Sequence, residues 1–231
     1  ETSNALEIGP GMGVLTQFLL AREDLKMKLV EIDTESVEYL KKNFNLEENS
    51  LIEADFLKMN LTDLFEGDKF NVVGNFPYNI SSQIFFHILD YRNLVPEVVC
   101  MLQREVAHRL ASGPGTKDYG ILSVFLQAYY NIDYLFTVDE NVFNPPPKVK
   151  SGVIRLVRND VEKLDCDEKL FRTIVKATFN LRRKTIRNSI RAVKFDYEKL
   201  ASHRFMQMRP EQLSVADFVE LTKAVESTIT M

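Results

Sequence analysis

Ala5-Leu6-Glu7-Ile8-Gly9-Pro10-Gly11-Met12-Gly13 is a short apolar run that breaks into three alternating glycines. Val14 to Leu20 behind it reads as a helix, so the glycines sit in a strand–turn–helix context. Glycine lets the backbone turn sharply and lets a ligand approach with no Cβ in the way. The dinucleotide pattern asks for a third glycine three places after the second, and Val14 stands there, so a pyrophosphate grip is a poor match. No Gly-Lys-Ser or Gly-Lys-Thr follows, which excludes a nucleoside-triphosphate loop.

Outward from that turn, apolar runs at 28–32, 51–54, 70–73 and 98–102 alternate with helical patterns at 34–44, 81–89 and 103–110. Such alternation predicts a mainly parallel sheet covered on both faces. A helix is expected over 121–130. The runs 131–138 and 152–157 then close the sheet as an antiparallel hairpin across Phe143-Asn144-Pro145-Pro146-Pro147, where the prolines forbid helix or central strand. Past Asn159 the period becomes helical: Phe171, Ile174, Val175, Thr178 and Phe179 share one face, and Ile186, Ile190 and Val193 another. Ser214 with Asp217 three residues on predicts the cap of a last helix. The expected division is a sheet domain over 1–158 and an all-helical domain over 159–231. Sheet domains of this kind usually pack a preceding segment across their strand ends, so residues before Glu1 are expected.

The 231 residues are 45% apolar and 27% charged, the composition of an ordinary folded protein. No apolar run reaches the length of a membrane span and no signal peptide is visible. Cys100 and Cys166 cannot form a disulfide framework, so a reducing cytoplasm is expected, and two Cys with three scattered His do not predict a zinc site. Nothing marks a coiled coil or an oligomer seam, so a monomer is expected. The net charge of −4 hides a division: 22 acidic against 11 basic residues over 1–144, but 17 basic against 7 acidic over 145–210. A polyanion meets the local field, and that basic region predicts a nucleic-acid surface. Arg182, Arg183, Lys184, Arg187 and Arg191 are expected along one helix edge, with Arg104, Lys117 and Lys148 as further phosphate contacts.

Glu31 ends the second strand, where a carboxylate can take both hydroxyls of a ribose. Asp55 follows the third, where it can accept from an adenine amine between the apolar walls Ile32 and Phe56. With Gly9 and Gly11, and Glu7 as organiser of the turn, these residues outline a site for an adenosine without a pyrophosphate, which points to S-adenosyl-L-methionine. Asn75-Phe76-Pro77-Tyr78-Asn79 ends the fourth strand, on the side where open α/β sheets bind ligands and where Asn75 also borders the cofactor. Methylating an adenine amine requires its lone pair to leave conjugation while the nitrogen becomes positive. The Asn75 oxygen and a carbonyl preceding or within Pro77 can accept from that amine, the mirror image of an oxyanion hole. Tyr78 offers a stacking face and Phe143 the opposing one, for a base that must be unpaired or flipped.

In these residues the chain resembles the KsgA/Dim family of ribosomal RNA adenine dimethyltransferases, most closely its bacterial members. The resemblance is carried by Leu6 to Thr16, Glu31-Ile32-Asp33, Asp55-Phe56-Leu57, Asn75 to Asn79, Gln103 to Ala107, Tyr119-Gly120-x-Leu122-Ser123, Phe143 to Val149, Phe179-x-x-Arg182 to Thr185 and Arg209 to Ser214. The last two segments favour this family over the related Erm resistance enzymes. The resemblance implies a Rossmann-like methyltransferase fold of seven strands with a small helical C-terminal domain. It also implies N6,N6-dimethylation of two adjacent adenosines in the 3′-terminal hairpin loop of small-subunit rRNA, on an immature ribosomal subunit late in assembly. Members carry an N-terminal Gln-x-Phe-Leu-like segment that covers the cofactor, and many have Leu where Phe76 stands. Two alternatives stay open: a ribosome-assembly binding factor with secondary catalysis, and an Erm-like enzyme acting on large-subunit rRNA.

Overall fold

In the computed structural model, which describes residues 2–229, the run before the glycines is strand β1 (Asn4–Ile8) and helix α1 (Thr16–Leu20) follows the turn. Then come β2 (Lys26–Glu31), α2 (Thr34–Asn43), β3 (Leu51–Glu53), β4 (Asn71–Asn75), α3 (Ser81–Asp90), β5 (Glu97–Gln103), α4 (Arg104–Ala111), α5 (Ile121–Gln127), β6 (Tyr130–Val138) and β7 (Ser151–Arg158). Helices α6 (Glu168–Asn180), α7 (Ile186–Ser189), α8 (Tyr197–Leu200) and α9 (Val215–Glu226) complete the chain. α1 starts two residues later than expected because the glycines first close a turn, Gly13 N–H donating to the Pro10 carbonyl at 2.9 Å. α2 starts where a cap allows it, with the Asp33 carboxylate accepting from Ser36 N–H at 2.8 Å. Its Val37 and Leu40 are buried, as their spacing predicts.

The seven strands form one sheet in the order β3-β2-β1-β4-β5-β7-β6. The first five pair in parallel and β7 runs antiparallel to β5, with β6 outside it. The order grows one way from β1 to β3 and then reverses from β4. Because parallel crossovers are right-handed, this reversal puts the helices that follow β1 and β4 on opposite faces and opens a crevice at the carboxyl ends of β1 and β4. β5 buries Val98, Cys100 and Leu102 on one face, the alternation of a pleated strand. Among the described residues no helix is long and apolar enough to cross a membrane.

Two compact units emerge; the break at 158/159 is among their boundaries, and the departure from the expected division is that residues 108–130 join the second unit. One runs to Ala107 and resumes over Asn131–Arg158; the other joins His108–Tyr130 to everything from Asn159 on. Within this second unit the Tyr119 ring meets Phe179 at 6.2 Å, Phe125 meets Phe171 at 6.2 Å, and Phe218 lies 5.9 Å from Phe179. Tyr119 and Phe125 thus find ring partners on α6, which Phe218 of α9 meets in turn, a pairing that sequence order conceals. The helix expected over 121–130 ends at Gln127, whose amide donates to the Leu110 and Ser112 carbonyls, and Tyr130 already opens β6. α6 carries all five predicted face residues buried, and Ser214 and Asp217 form the predicted reciprocal cap of α9.

Candidate active site

The register of β1 on β4 pairs Glu7 with Val73. Gly9 and Asn75, each two residues further, therefore emerge at the same level of the sheet. Between them Gly74 closes the gap: a Cβ built on it would stand 2.6 Å from the Ile8 carbonyl oxygen. The glycine turn and the Asn75–Asn79 turn are thus neighbours at the crevice.

In the first turn Gly9, Gly11 and Gly13 take φ values of +64°, +53° and +78°, the left-handed region that side chains avoid. Nothing lies within 4 Å of a Cβ at Gly9 or Gly11, whereas at Gly13 it would meet the Phe44 ring at 2.4 Å. The first two glycines face open space and the third packs the turn onto α2. Glu31 holds the turn from β2. Its Oε2 accepts from Gly11 N–H at 2.9 Å, and its Oε1 from Ile32 and Asp33 N–H at 2.8 and 3.0 Å. A carboxylate offers about four lone-pair sites, so these three amides leave acceptor capacity for a further donor.

Glu7 lies beneath the turn, 1% exposed, and accepts from the Thr16 hydroxyl at 2.8 Å. This bond ties the last turn of β1 to the start of α1 and fits the organising role expected of Glu7. Burial pushes its carboxyl up to about 7, against the Thr16 bond and with help from the nearby Glu31 charge. The unfolded chain therefore releases this proton first as pH rises from about 4.5, and folding stability falls with pH until about 7. Glu7→Gln, which keeps an oxygen for Thr16, is expected to flatten that slope and raise stability above pH 7 in denaturant titrations across the range. An unchanged slope would contradict the assignment.

Of the other cofactor positions, Ile32 is 65% exposed and free to wall a ligand, while Phe56 is buried edge-on against His87 at 5.1 Å. Asp55 caps the short turn after β3 through Leu57 N–H at 3.1 Å and faces Lys58 at 3.3 Å. Residues Gly9, Gly11, Glu31, Ile32 and Asp55 together fit an adenosine-bearing cofactor: clear backbone, a carboxylate on the second strand, and an apolar wall.

The second turn alternates sharply. Phe76 is fully buried against Phe85, its N–H donating to the Met101 carbonyl at 2.9 Å, while Asn75, Pro77 and Asn79 are exposed. The buried ring anchors the loop so that its neighbours face out. The Pro77 carbonyl accepts from Ile80 N–H at 3.2 Å, which leaves the Phe76 carbonyl as the one of the two expected acceptors that is not engaged in that turn. Tyr78 is half-buried, and its hydroxyl shares a hydrogen bond of 2.7 Å with Ser151, a residue that nothing in the local sequence marks. Phe143, half-buried, follows a short turn over Glu140–Val142 and precedes the prolines.

The basic residues divide. Arg104, Lys117, Lys148, Arg183 and Lys184 are exposed. Arg182 is instead committed inside the second unit: its Nη2 donates to the Thr116 carbonyl at 3.1 Å and its Nε lies 3.8 Å from Glu211. The expected continuous helix edge does not form. α6 ends at Asn180, residues 181–184 turn, Thr185 is extended, and Arg187 and Arg191 fall on α7 and the short turn after it. Both guanidinium groups stand over the Tyr197 ring, at 5.9 and 5.8 Å. Among the described residues no cluster of His, Cys, Asp or Glu is placed to hold a metal.

Comparison with known proteins gives the same direction. The ribosomal RNA adenine dimethylase family pattern matches residues 1–227. The ribosomal RNA small subunit methyltransferase A of Phocaeicola vulgatus is 57% identical over 224 residues, covering 97% of this chain and 80% of that protein. A dimethyladenosine transferase from Plasmodium falciparum superposes with a TM-score of 0.80 at 24% identity, covering 98% of this chain and 90% of its own, which bears on the fold alone. The 23S rRNA methyltransferase ErmE superposes with a TM-score of 0.65 at 25% identity, covering 95% and 91%.

Proposed function

The chain belongs to the ribosomal RNA adenine dimethylase family, and we propose from that membership that the crevice beside Gly9, Gly11 and Asn75 is its methyl-transfer site. The protein is an enzyme that dimethylates the N6 amines of adjacent adenosines in small-subunit (16S) rRNA, with S-adenosyl-L-methionine as methyl donor. When bound, the cofactor supplies an electrophilic methyl group whose carbon–sulfur bond breaks with its electron pair left on sulfur.

Asn75 Oδ1 and the Phe76 carbonyl accept from the two N–H groups of the amine. They draw its lone pair out of the ring and stabilise the positive charge that grows on nitrogen. The proton then leaves to solvent, so no strong base is required. Pro77 stiffens the loop, Tyr78 stacks on the extruded base, and Phe143 closes its other face. Gly9, Gly11, Glu31, Ile32 and Asp55 hold the cofactor. Arg183 and Lys184, with Arg104, Lys117, Lys148 and Arg187, meet rRNA phosphates. The target lies in the 3′-terminal hairpin loop, the partner is an immature small ribosomal subunit, and the compartment is the cytoplasm.

The observation that carries this reading is the closure of Gly74 on the Ile8 carbonyl, which puts the Asn75 turn beside the open glycines. Incubating the protein with labelled cofactor and immature small or large subunits, then mapping dimethyladenosine, tests it. Label in two adjacent adenosines of the small-subunit rRNA is expected. Label in large-subunit rRNA would favour the Erm-like alternative, and binding without label an assembly factor.

A further inference from the structure

The hydrogen bond between Tyr78 and Ser151 joins residues 73 apart in sequence, within one sheet edge. Asn75, three residues before Tyr78, pairs with Met101 of β5, and Ser151 pairs with Gln103 at the end of β5. The Tyr78 side chain therefore reaches from the end of β4 across the end of β5 to the start of β7. Ser151 is fully buried and does not yield. The next residue, Gly152, is packed so closely that a Cβ would stand 2.8 Å from Ala107 Cβ and 2.9 Å from the Tyr134 ring. Tyr78, by contrast, is flanked by exposed Pro77 and Asn79, and nothing in its own loop fixes the ring. The hydroxyl bond joins a half-buried aromatic to a fully buried anchor.

This geometry bears unequally on the two methyl transfers, an inference that rests on the site reading above. In the first transfer the amine presents two N–H donors, one for Asn75 Oδ1 and one for the Phe76 carbonyl. That transfer replaces one N–H by N–CH3 and releases the proton to solvent. In the second, a single N–H remains. The nitrogen lone pair again forms the new N–CH3 bond as the donor's carbon–sulfur bond breaks, and the last N–H proton leaves to solvent. With one amine contact gone, the stack on Tyr78 has to supply more of the base's alignment.

We propose that Ser151 is a positioning residue for the second methyl transfer: by pinning the Tyr78 hydroxyl it holds the stacking ring in the pose that aligns a once-methylated adenine.

Three variants, Ser151→Ala, Tyr78→Phe and the double, are compared in single-turnover methylation of small-subunit rRNA, with mono- and dimethyladenosine separated by mass. Both single variants are expected to slow the second transfer about tenfold and the first less than threefold, so that monomethyladenosine accumulates. The double variant is expected to match the singles, because each removes the same bond. An independent readout is the fluorescence of 2-aminopurine, which lacks an amine at position 6, placed at the target position: weaker quenching in Ser151→Ala marks a looser stack. Equal slowing of both transfers, or additive losses in the double variant, would overturn the proposal in favour of a purely structural bond. If Ser151→Ala melts early, Tyr78→Phe, which keeps the ring and empties nothing in the buried anchor, decides the same question. Asn75→Ala run alongside separates the failures: full activity there would sink the site reading itself, whereas its loss with unchanged product ratios at Ser151→Ala would sink this inference alone.

Discussion

Asn75→Ala is expected to lower the rate of methyl transfer by about 10²–10³-fold while leaving the fold and rRNA affinity in place. The carboxamide oxygen compensates a charge that exists only as the N–CH3 bond forms. Its loss therefore appears in turnover rather than in binding, and by analogy with an oxyanion-hole donor amounts to roughly 2.7–4 kcal/mol of barrier. The side chain is exposed and the β4 backbone pairs do not depend on it, so melting temperature should stay within about a degree. Asn75→Asp keeps an acceptor and is expected to retain more activity than Ala. Single-turnover label incorporation, with a gel-shift measurement of rRNA affinity, checks both halves. An Ala variant within threefold of the unmodified enzyme would remove Asn75 from the chemistry.

Gly74→Ala is expected to be the most damaging single methyl group that can be added to the sheet unit. The atom it would strike at 2.6 Å is the Ile8 carbonyl oxygen, part of the backbone of β1, which cannot rotate aside as a side chain can. β1 and β4 must part just where the two turns of the site depend on their register. Overpacking of this kind costs about 3 kcal/mol, which for a chain of this size lowers the melting temperature by roughly 6–12 °C. Cofactor affinity should fall along with stability, because Gly9 and Asn75 lose their common level. Gly113→Ala, at a position with nothing within 4 Å and no left-handed backbone, serves as the control and is expected to change stability by less than about 0.5 kcal/mol. Thermal melts and cofactor titrations of the two variants make the comparison; equal behaviour would show that the strands accommodate the methyl group.

Much of this site was readable from the sequence because its parts are local. Each glycine of the first turn, the carboxylate ending β2 and the Asn75–Tyr78 run declares itself within a few residues, and the alternation of apolar periods locates the strands along the chain. What escaped reading depends on contacts distant in the chain. Ser151 has no local signature, since its meaning lies in a tyrosine 73 residues earlier. Arg182 reads as one more phosphate ligand beside Arg183 until the Thr116 carbonyl is seen to occupy its guanidinium. The basic helix edge failed because charge spacing alone was projected onto a helix that stops at Asn180. Likewise α5 was assigned by its place in the alternation, whereas its Phe125 ring follows Phe171 of α6.

That arrangement has a consequence for the chain as it is born. His108–Tyr130 belongs with helices encoded some thirty residues and more further on, and the strands that complete the sheet lie in between. On a translating ribosome Tyr119 and Phe125 emerge long before Phe179 and Phe171 exist to cover them, and before Phe218 packs on those two. At about 5–20 residues per second, the interval between the end of that segment and the end of α9 is on the order of 5–20 s. Through that time the rings of this segment lack the aromatic partners that the finished second unit gives them.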